Sequence, residues 1–488
     1  MLNNKLNNKL NNKKYDVVVI GAGPAGYVAA IRCAQLGLRT ACVDNWLDEK
    51  GKHRLGGTCL NVGCIPSKAL LDSSEHYYQL NHNFAEHGIK VNKVSLNIAQ
   101  MMARKDKITQ QLSSGINTLF EANKIDLHRG YGQLQENNKI EITPLDKTTK
   151  CYILESKNII LATGSQPLDI PVAPIDNQKI VDSTGALSFN EIPKRLAIIG
   201  AGIIGLELGS VWSRLGTKVI LLEAQEEFLP MADRLLASEA LRHFSHQGLD
   251  IRLGARVTSS SIGKQQITVS YQDKQEQKRI VVDRVLVAVG RIPHTKNLFA
   301  AEVNLLIDEG GFIDVDKHCR TNLPNVYAIG DIVRGPMLAH KGSEEGLAVA
   351  ETIAGNKKHI NMDLLPSVIY TVPEIAWVGK TEQVLLKEGI PFNSGVFPFA
   401  ANGRAKTMSA DIGQVKVLSH AKTDRILGVH IIGPFASEIL QIAVISMEFE
   451  GCAEDLARSV FAHPSLSETL HEAALAIDGR AIHAINRS

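Results

Sequence analysis

The segment Gly56-Gly57-Thr58-Cys59-Leu60-Asn61-Val62-Gly63-Cys64-Ile65-Pro66-Ser67-Lys68 places two thiols five positions apart. Close thiols can cycle between dithiol and disulfide, hold a metal, or simply be buried. The pattern from Ser67 to Leu80 reads as helix. In a regular helix, Cα atoms five apart lie roughly 8.7 Å from one another, whereas a disulfide tolerates up to about 7 Å. Closure therefore needs a distortion, and Gly63 and Pro66 are the residues that would permit one. Metal sites usually pair Cys-x(2–4)-Cys with a second ligand pair, which does not accompany this segment. Inert thiols would not need Gly and Pro around them. The redox reading suits the context best, with the other two still open.

Dithiol–disulfide exchange runs through a thiolate, and a thiol with a free pKa near 8.5 supplies little of it at neutral pH. A base is needed. Ala462-His463-Pro464-Ser465-Leu466-Ser467-Glu468 offers an imidazole with a carboxylate five residues on. Pro464 is expected at the first position of a helix. Ser465-x-x-Glu468 also fits a capping box, so the local residues alone leave the catalytic and capping readings level.

The elements that would position this chemistry come from a repeat offset by 179 residues. The first copy is Val17-Val-Val-Ile-Gly21-Ala-Gly23-Pro-Ala-Gly26 and the second Ala197-Ile-Ile-Gly200-Ala-Gly202-Ile-Ile-Gly205. Each continues into a helical stretch and a second apolar run that ends in an acid, Asp44 or Glu223, 18 residues beyond the third glycine. This is a βαβ unit, twice. The glycines allow a tight turn, a close approach of backbone to pyrophosphate, and close helix-to-strand packing, while the acid accepts from a ribose diol. Glu223 would repel a 2′-phosphate, and no Arg or Lys lies among residues 223–228 to replace it. The second site is therefore expected to favour NAD over NADP. Two dinucleotide sites in one chain are explained by hydride transfer between a flavin and a nicotinamide.

The chain has 488 residues, 44% apolar and 21% charged, which fits two to four soluble globular domains. The formal charge of +2 comes from Lys5, Lys9, Lys13 and Lys14, and without them 49 basic residues face 51 acidic ones. No basic block is present to favour nucleic acid or an anionic membrane as partner. Residues 1–14 read as a disordered polar tail and not as a targeting signal. Leu196 to Trp212 is the nearest thing to a membrane span, but Glu207 and four glycines interrupt it and it is too short. Seven cysteines in this length are no disulfide framework, so a reducing, cytoplasmic compartment is expected.

The cysteine segment closely resembles the redox-active segment of the flavin disulfide reductases. Further motifs of that family follow in order: Ala162-Thr163-Gly164-Ser165, Val289-Gly290-Arg291-Ile-Pro, Tyr327-Ala-Ile-Gly330-Asp331 and Met337-Leu338-Ala339-His340. The resemblance implies an α/β fold with two Rossmann-like dinucleotide-binding domains, one inserted in the other, and a C-terminal α+β dimerisation domain. The expected divisions are residues 15–165 with 290–360 for FAD, 166–289 for NAD and 361–488 for the dimer interface. It implies that FAD is held by Gly21, Gly23, Gly26, Asp44, Thr58, Lys68, Thr163, Gly164, Ser165, Asp331 and Met337 to His340. NAD would be held by Gly200, Gly202, Gly205 and Glu223, and Glu207 and Gly290 are further cofactor-binding positions that the resemblance implies. A stretch between Asp44 and Cys59 is longer than in many relatives and makes Asp44 a weaker match than Glu223.

The resemblance further implies that His463 and Glu468 form the family's catalytic pair, that His463 reaches the disulfide of the other subunit, and that the protein is a homodimer. Lys68 would sit near the flavin and pair with Glu207. His463 would take a proton from a substrate thiol, whose thiolate attacks Cys59, leaving Cys64 as the thiolate against the flavin. The wording is nearest the branch that oxidises protein-bound dihydrolipoamide with NAD as acceptor, in 2-oxo acid dehydrogenase or glycine cleavage complexes. A sister enzyme reducing another disulfide such as glutathione is the nearest rival, but would want cations where residues 223–228 stand. A mercury-reducing relative would want a C-terminal Cys-Cys, which the tail lacks. A non-catalytic flavin-binding scaffold is the alternative from another class, and the intact Cys59, Cys64, His463 and Glu468 speak against it.

Overall fold

The computed structural model describes residues 13–357 and 360–486. The polar tail expected over residues 1–14 therefore lies, up to residue 12, outside the described residues. The chain forms two compact units: one takes the chain up to Leu70 with Asn97–Leu168 and Gly290–Ile360, the other Leu71–Leu96, Asp169–Val289 and the chain from Asn361 onward.

In the first unit, Lys14–Ile20 pairs in parallel with Thr40–Asp44 on one side and with Tyr152–Leu161 on the other. Asp126–Gln135 extends the sheet beyond Thr40–Asp44, Val326–Ala328 extends it beyond Tyr152–Leu161, and Lys139–Pro144 joins as an antiparallel strand. The unbroken apolar run Val17 to Ile20 is what a strand covered on both faces requires. Side chains alternate across the pleat, so Val18 and Ile20 enter one core while Val17 and Val19 enter the other. The second of these cores also holds Ala25, Ala29 and Ala30 of helix Pro24–Gln35 and Val349 of helix Ala339–Ile353.

The second unit repeats the scheme. Five parallel strands, Leu249–Arg252, Lys218–Leu222, Arg195–Ile199, Arg284–Val287 and Ile180–Val181, form a sheet in that order. A separate antiparallel sheet of Ser367–Ile369, Glu374–Gly379, Ile426–Gly433, Gln414–His420 and Phe392–Pro398 follows. Helices Ala436–Glu448 and Glu468–Ala476 contribute Ile439, Leu440, Leu470 and Ala473 to the core on that sheet. The mixed α/β architecture read from the repeat is the one observed. No helix among the described residues is long and apolar enough to cross a membrane.

Candidate active site

The two glycine turns match hydrogen bond for hydrogen bond. Gly21 N–H donates to Val43 O at 2.8 Å, and Gly200 N–H to Leu222 O at 2.9 Å. Ala22 N–H donates to Asp44 Oδ2 at 2.9 Å, and Ala201 N–H to Glu223 Oε2 at 2.8 Å. Trp46 N–H donates to Asp44 Oδ1 at 3.1 Å, and Gln225 N–H to Glu223 Oε1 at 2.9 Å. Every pair is separated by the 179 residues of the sequence repeat. Gly21 and Gly200 hold φ of +104° and +101°, a region that favours glycine, and a Cβ on Gly26 or Gly205 would lie 1.9 or 2.2 Å from the carbonyl oxygen of Gly21 or Gly200. Sterics alone thus fix glycine at these positions.

Both turns suit a dinucleotide. Gly23 and Gly202 cap the 12-residue helices Pro24–Gln35 and Ile203–Arg214 with no side-chain cap bond, and neither first turn carries an acid. A Cβ on Gly202 would meet nothing within 4 Å, and one on Gly23 only Gly57 Cα at 3.9 Å. The first N–H groups of each helix are left for a pyrophosphate.

The first site has a second anchor. Ser165 Oγ donates to Asp331 Oδ2, Arg291 Nε donates to Ser165 Oγ at 2.7 Å, and the same guanidinium donates to Ser165 O. Thr163 Oγ1 donates to His294 O at 2.6 Å, and His294 N–H to Gly164 O, while Leu168 N–H binds Gly290 O. The motifs Ala162–Ser165 and Val289–Pro293 therefore meet, as antiparallel strands Ser165–Pro167 and Arg291–Pro293. Met337 to Ala339 are half-buried at the start of helix Ala339–Ile353, and His340 is exposed.

Two site residues escaped sequence reasoning. Lys341 and Glu345, only 1% and 3% exposed, form an ion pair at 2.8 Å one helical turn apart. Glu345 Oε2 accepts the Gly330 N–H at 2.7 Å, and Lys341 Nζ donates to Gly330 O at 3.2 Å. The pair thus grips both polar groups of Gly330, the residue that presents Asp331. Burial pushes the Glu345 carboxyl up, against the pull of Lys341 and the Gly330 N–H. Their i,i+4 spacing was a visible signal, but such spacing ordinarily marks a solvent-facing pair.

The cysteines sit on two helices, not one. Helix Gly57–Val62 carries Cys59, Gly63 interrupts with φ −140° and ψ −114°, and helix Cys64–His82 starts at Cys64. The distortion demanded by the spacing is therefore a complete break, and the second helix begins three residues earlier than its pattern suggested. A Cβ on Gly63 would lie 2.9 Å from Thr58 O and 3.1 Å from Cys59 Cα. The fold-back uses the room that glycine leaves. The Cys59 and Cys64 thiols are neighbours, and neither is in a disulfide. The adjoining Cys64 and burial push the Cys59 thiol far up, with Lys68 pulling the other way. Gly56 N–H donates to Ala22 O at 2.9 Å, which seats the cysteine helix on the first glycine turn. Among the described residues, no group of three or more metal-ligating side chains assembles.

His463 and Glu468 belong to the second unit. His463 Nδ1 lies 2.9 Å from Glu468 Oε1, and Ser465 N–H donates to Glu468 Oε2 at 2.8 Å. One carboxylate thus holds both the imidazole and the Ser465 N–H, while the helix cap is Ser467 and not the Ser465 that a capping box would use. A carboxylate only accepts, so Nδ1 carries the proton and Nε2 is the basic nitrogen. Burial pushes Glu468 up, but the Ser465 N–H and His463 outweigh it and hold the carboxyl below its ordinary range. Pro464 is not at the first position of a helix, as was expected. The helix runs Glu468–Ala476, and residues 463–467 form the turn that lets Glu468 reach back. In the same unit Glu207 is buried, with Oε1 accepting from Tyr370 N–H at 3.0 Å.

The chain matches the pyridine nucleotide-disulphide oxidoreductase family over residues 15–346 and that family's dimerisation domain over residues 365–474. It is 50% identical over 474 residues to the dihydrolipoyl dehydrogenase of Cupriavidus necator, covering 96% of this chain and 99% of that protein. It is 45% identical over 467 residues to the mitochondrial dihydrolipoyl dehydrogenase of Mus musculus, covering 94% and 90%. Among solved structures it is similar to the HOCl-induced flavoprotein disulfide reductase RclA from Escherichia coli, at 28% identity and TM-score 0.82 over 94% of this chain and 99% of that one.

Proposed function

The chain belongs to the pyridine nucleotide-disulphide oxidoreductases, and from that premise we propose that it oxidises dihydrolipoyl groups to the cyclic disulfide with NAD⁺ as acceptor. The observation that carries the reading is the neighbouring Cys59 and Cys64, on two helices that meet at Gly63 and are seated on the first glycine turn. FAD would be held at that turn by Gly21, Gly23 and Gly26 at the pyrophosphate, with Asp44 for the ribose and Asp331 for the ribityl chain. When bound, FAD would supply the two-electron redox chemistry that links dithiol oxidation to reduction of NAD⁺, and Gly200, Gly202, Gly205 and Glu223 would hold the nicotinamide nucleotide.

The residues of the chain do the proton and sulfur chemistry. With Cys59 and Cys64 oxidised to a disulfide, His463 Nε2 removes a proton from one substrate thiol, and the thiolate attacks Cys59, breaking the Cys59–Cys64 bond to form a mixed disulfide and release Cys64 as thiolate. The second substrate thiol then displaces Cys59 and closes the product ring. Glu468 keeps the imidazole in the productive tautomer and stabilises it when protonated. We assign the working unit as a homodimer in which His463 serves the partner's cysteines, the substrate as a lipoyl domain of a 2-oxo acid dehydrogenase or glycine cleavage complex, and the setting as the reducing cytoplasm.

Dihydrolipoamide-dependent reduction of NAD⁺ is the test. The purified protein should be yellow and active, Cys59→Ser should keep the flavin and lose turnover, and His463→Gln should lose about 10²–10⁴-fold in rate. Undiminished turnover in Cys59→Ser would overturn the assignment.

A further inference from the structure

We propose that His53 is a positioning residue for the adenosine end of FAD, fixing the Asp44 carboxylate toward the ribose, and that the hairpin of residues 45–55 delivers it. The inference rests on the reading of the first glycine turn as the FAD site. His53 Nε2 lies 3.0 Å from Asp44 Oδ1 and 3.1 Å from Asp44 O. Both neighbours are acceptors only, so Nε2 carries a hydrogen and donates to them. Both side chains are nearly buried, at 8% and 7% exposure.

The two turns of the repeat differ at this point. Glu223 accepts from two backbone N–H groups, Ala201 and Gln225. Asp44 accepts from their counterparts Ala22 and Trp46 and from His53 as well. A carboxylate has about four lone-pair directions. With three in use, Asp44 has one orientation and one direction to offer a ribose hydroxyl, so little freedom remains to be lost when the ligand binds.

The hairpin is built independently of any ligand. Asp48 Oδ1 accepts the N–H groups of Lys50 and Lys52 at 3.0 and 2.8 Å, and Asp48 Oδ2 accepts Arg54 Nε at 3.0 Å. Arg54 N–H returns to Trp46 O at 3.2 Å, and Leu47 bridges His53 across the two arms. Asp48 thus templates the loop from within, and His53 is carried on its return arm.

The experiment measures FAD release from the diluted holoprotein by recovery of flavin fluorescence, and binding of ADP, which carries only the adenosine diphosphate end, to the flavin-free protein. His53→Ala should speed FAD release and weaken ADP about tenfold, with NADH affinity unchanged. His53→Gln, whose amide N–H can still donate, should recover most of the loss. Asp44→Asn should also weaken both ligands, and adding His53→Ala to it should cost little more. Thermal unfolding of the flavin-free variants should match the wild type. If Asp44→Asn weakens FAD while His53→Ala does not, or if the two losses simply add, the positioning role is wrong. If Asp44→Asn leaves both ligands unaffected, the assignment of Asp44 to the ribose fails instead.

Discussion

Ser165 Oγ donates to Asp331 Oδ2 at 2.5 Å. The hydroxyl has only one hydrogen, and Arg291 Nε fills its acceptor side at 2.7 Å, so the three side chains form a directed chain that ends on one oxygen of the carboxylate. Under the proposed function the other oxygen, Oδ1, would accept from the flavin's ribityl chain.

Ser165→Ala removes the middle of that chain and leaves Arg291 without its hydroxyl acceptor. A hydrogen bond to a charged group contributes about 1.5–3 kcal/mol, so FAD release should quicken by roughly tenfold or more. Fluorescence of flavin liberated on dilution measures it directly. An unchanged release rate would mean that Asp331 is held without Ser165.

Gly63→Ala would place a methyl group within 3 Å of Thr58 O. Overpacking of this kind costs about 1–3 kcal/mol, and the cheapest relief is to part the two helix ends. Dithiol turnover should fall while both thiols still react with a thiol reagent. Full turnover would show that the break is not what brings the sulfurs together.

At the second glycine turn, Glu223 accepts from two N–H groups, and under the proposed function its carboxylate would meet a ribose diol. NADH should therefore support the reverse reaction far better than NADPH, and Glu223→Gln should narrow that ratio chiefly by improving NADPH. Equal use of both cofactors by the wild type would refute the argument.

His430 is fully buried in the second unit, and burial pushes its pKa down from 6.5 to about 4, against the pull of Asp233. His128 in the first unit is depressed to about 4 for the same reason. The folded chain favours the neutral ring and the unfolded chain the protonated one. Stability from these groups is therefore complete above pH 6.5 and is lost as pH falls toward 4, by up to about 3 kcal/mol for His430. Urea midpoints across that range should drop, and His430→Gln should flatten the drop. A profile unaffected by the substitution would rule out His430 as a source.

The parts of the site visible in the sequence are those where sterics leave one choice of residue. Gly21, Gly26 and Gly63 each stand where a Cβ would collide with backbone, and Asp44 and Glu223 recur because the same N–H must be met at the same distance. The His463–Glu468 contact was legible as spacing, but its geometry was not, because Pro464 lies in a turn and the helix waits until Glu468. Lys341 and Glu345 were overlooked because charge on a helix ordinarily means solvent, and only the tertiary fold shows that they close on Gly330. His53 was hidden for a different reason: a loop has no periodicity from which its direction can be read.

The break at Gly63 bears on where strain falls. In a continuous helix, bringing two sulfurs five residues apart within bonding reach would tear the backbone ladder between them. Here Cys59 and Cys64 stand on two separate helices, and the Gly63 carbonyl already begins the second by accepting from Ser67 N–H. The joint between the helices takes up the mismatch, and each helix keeps its own ladder.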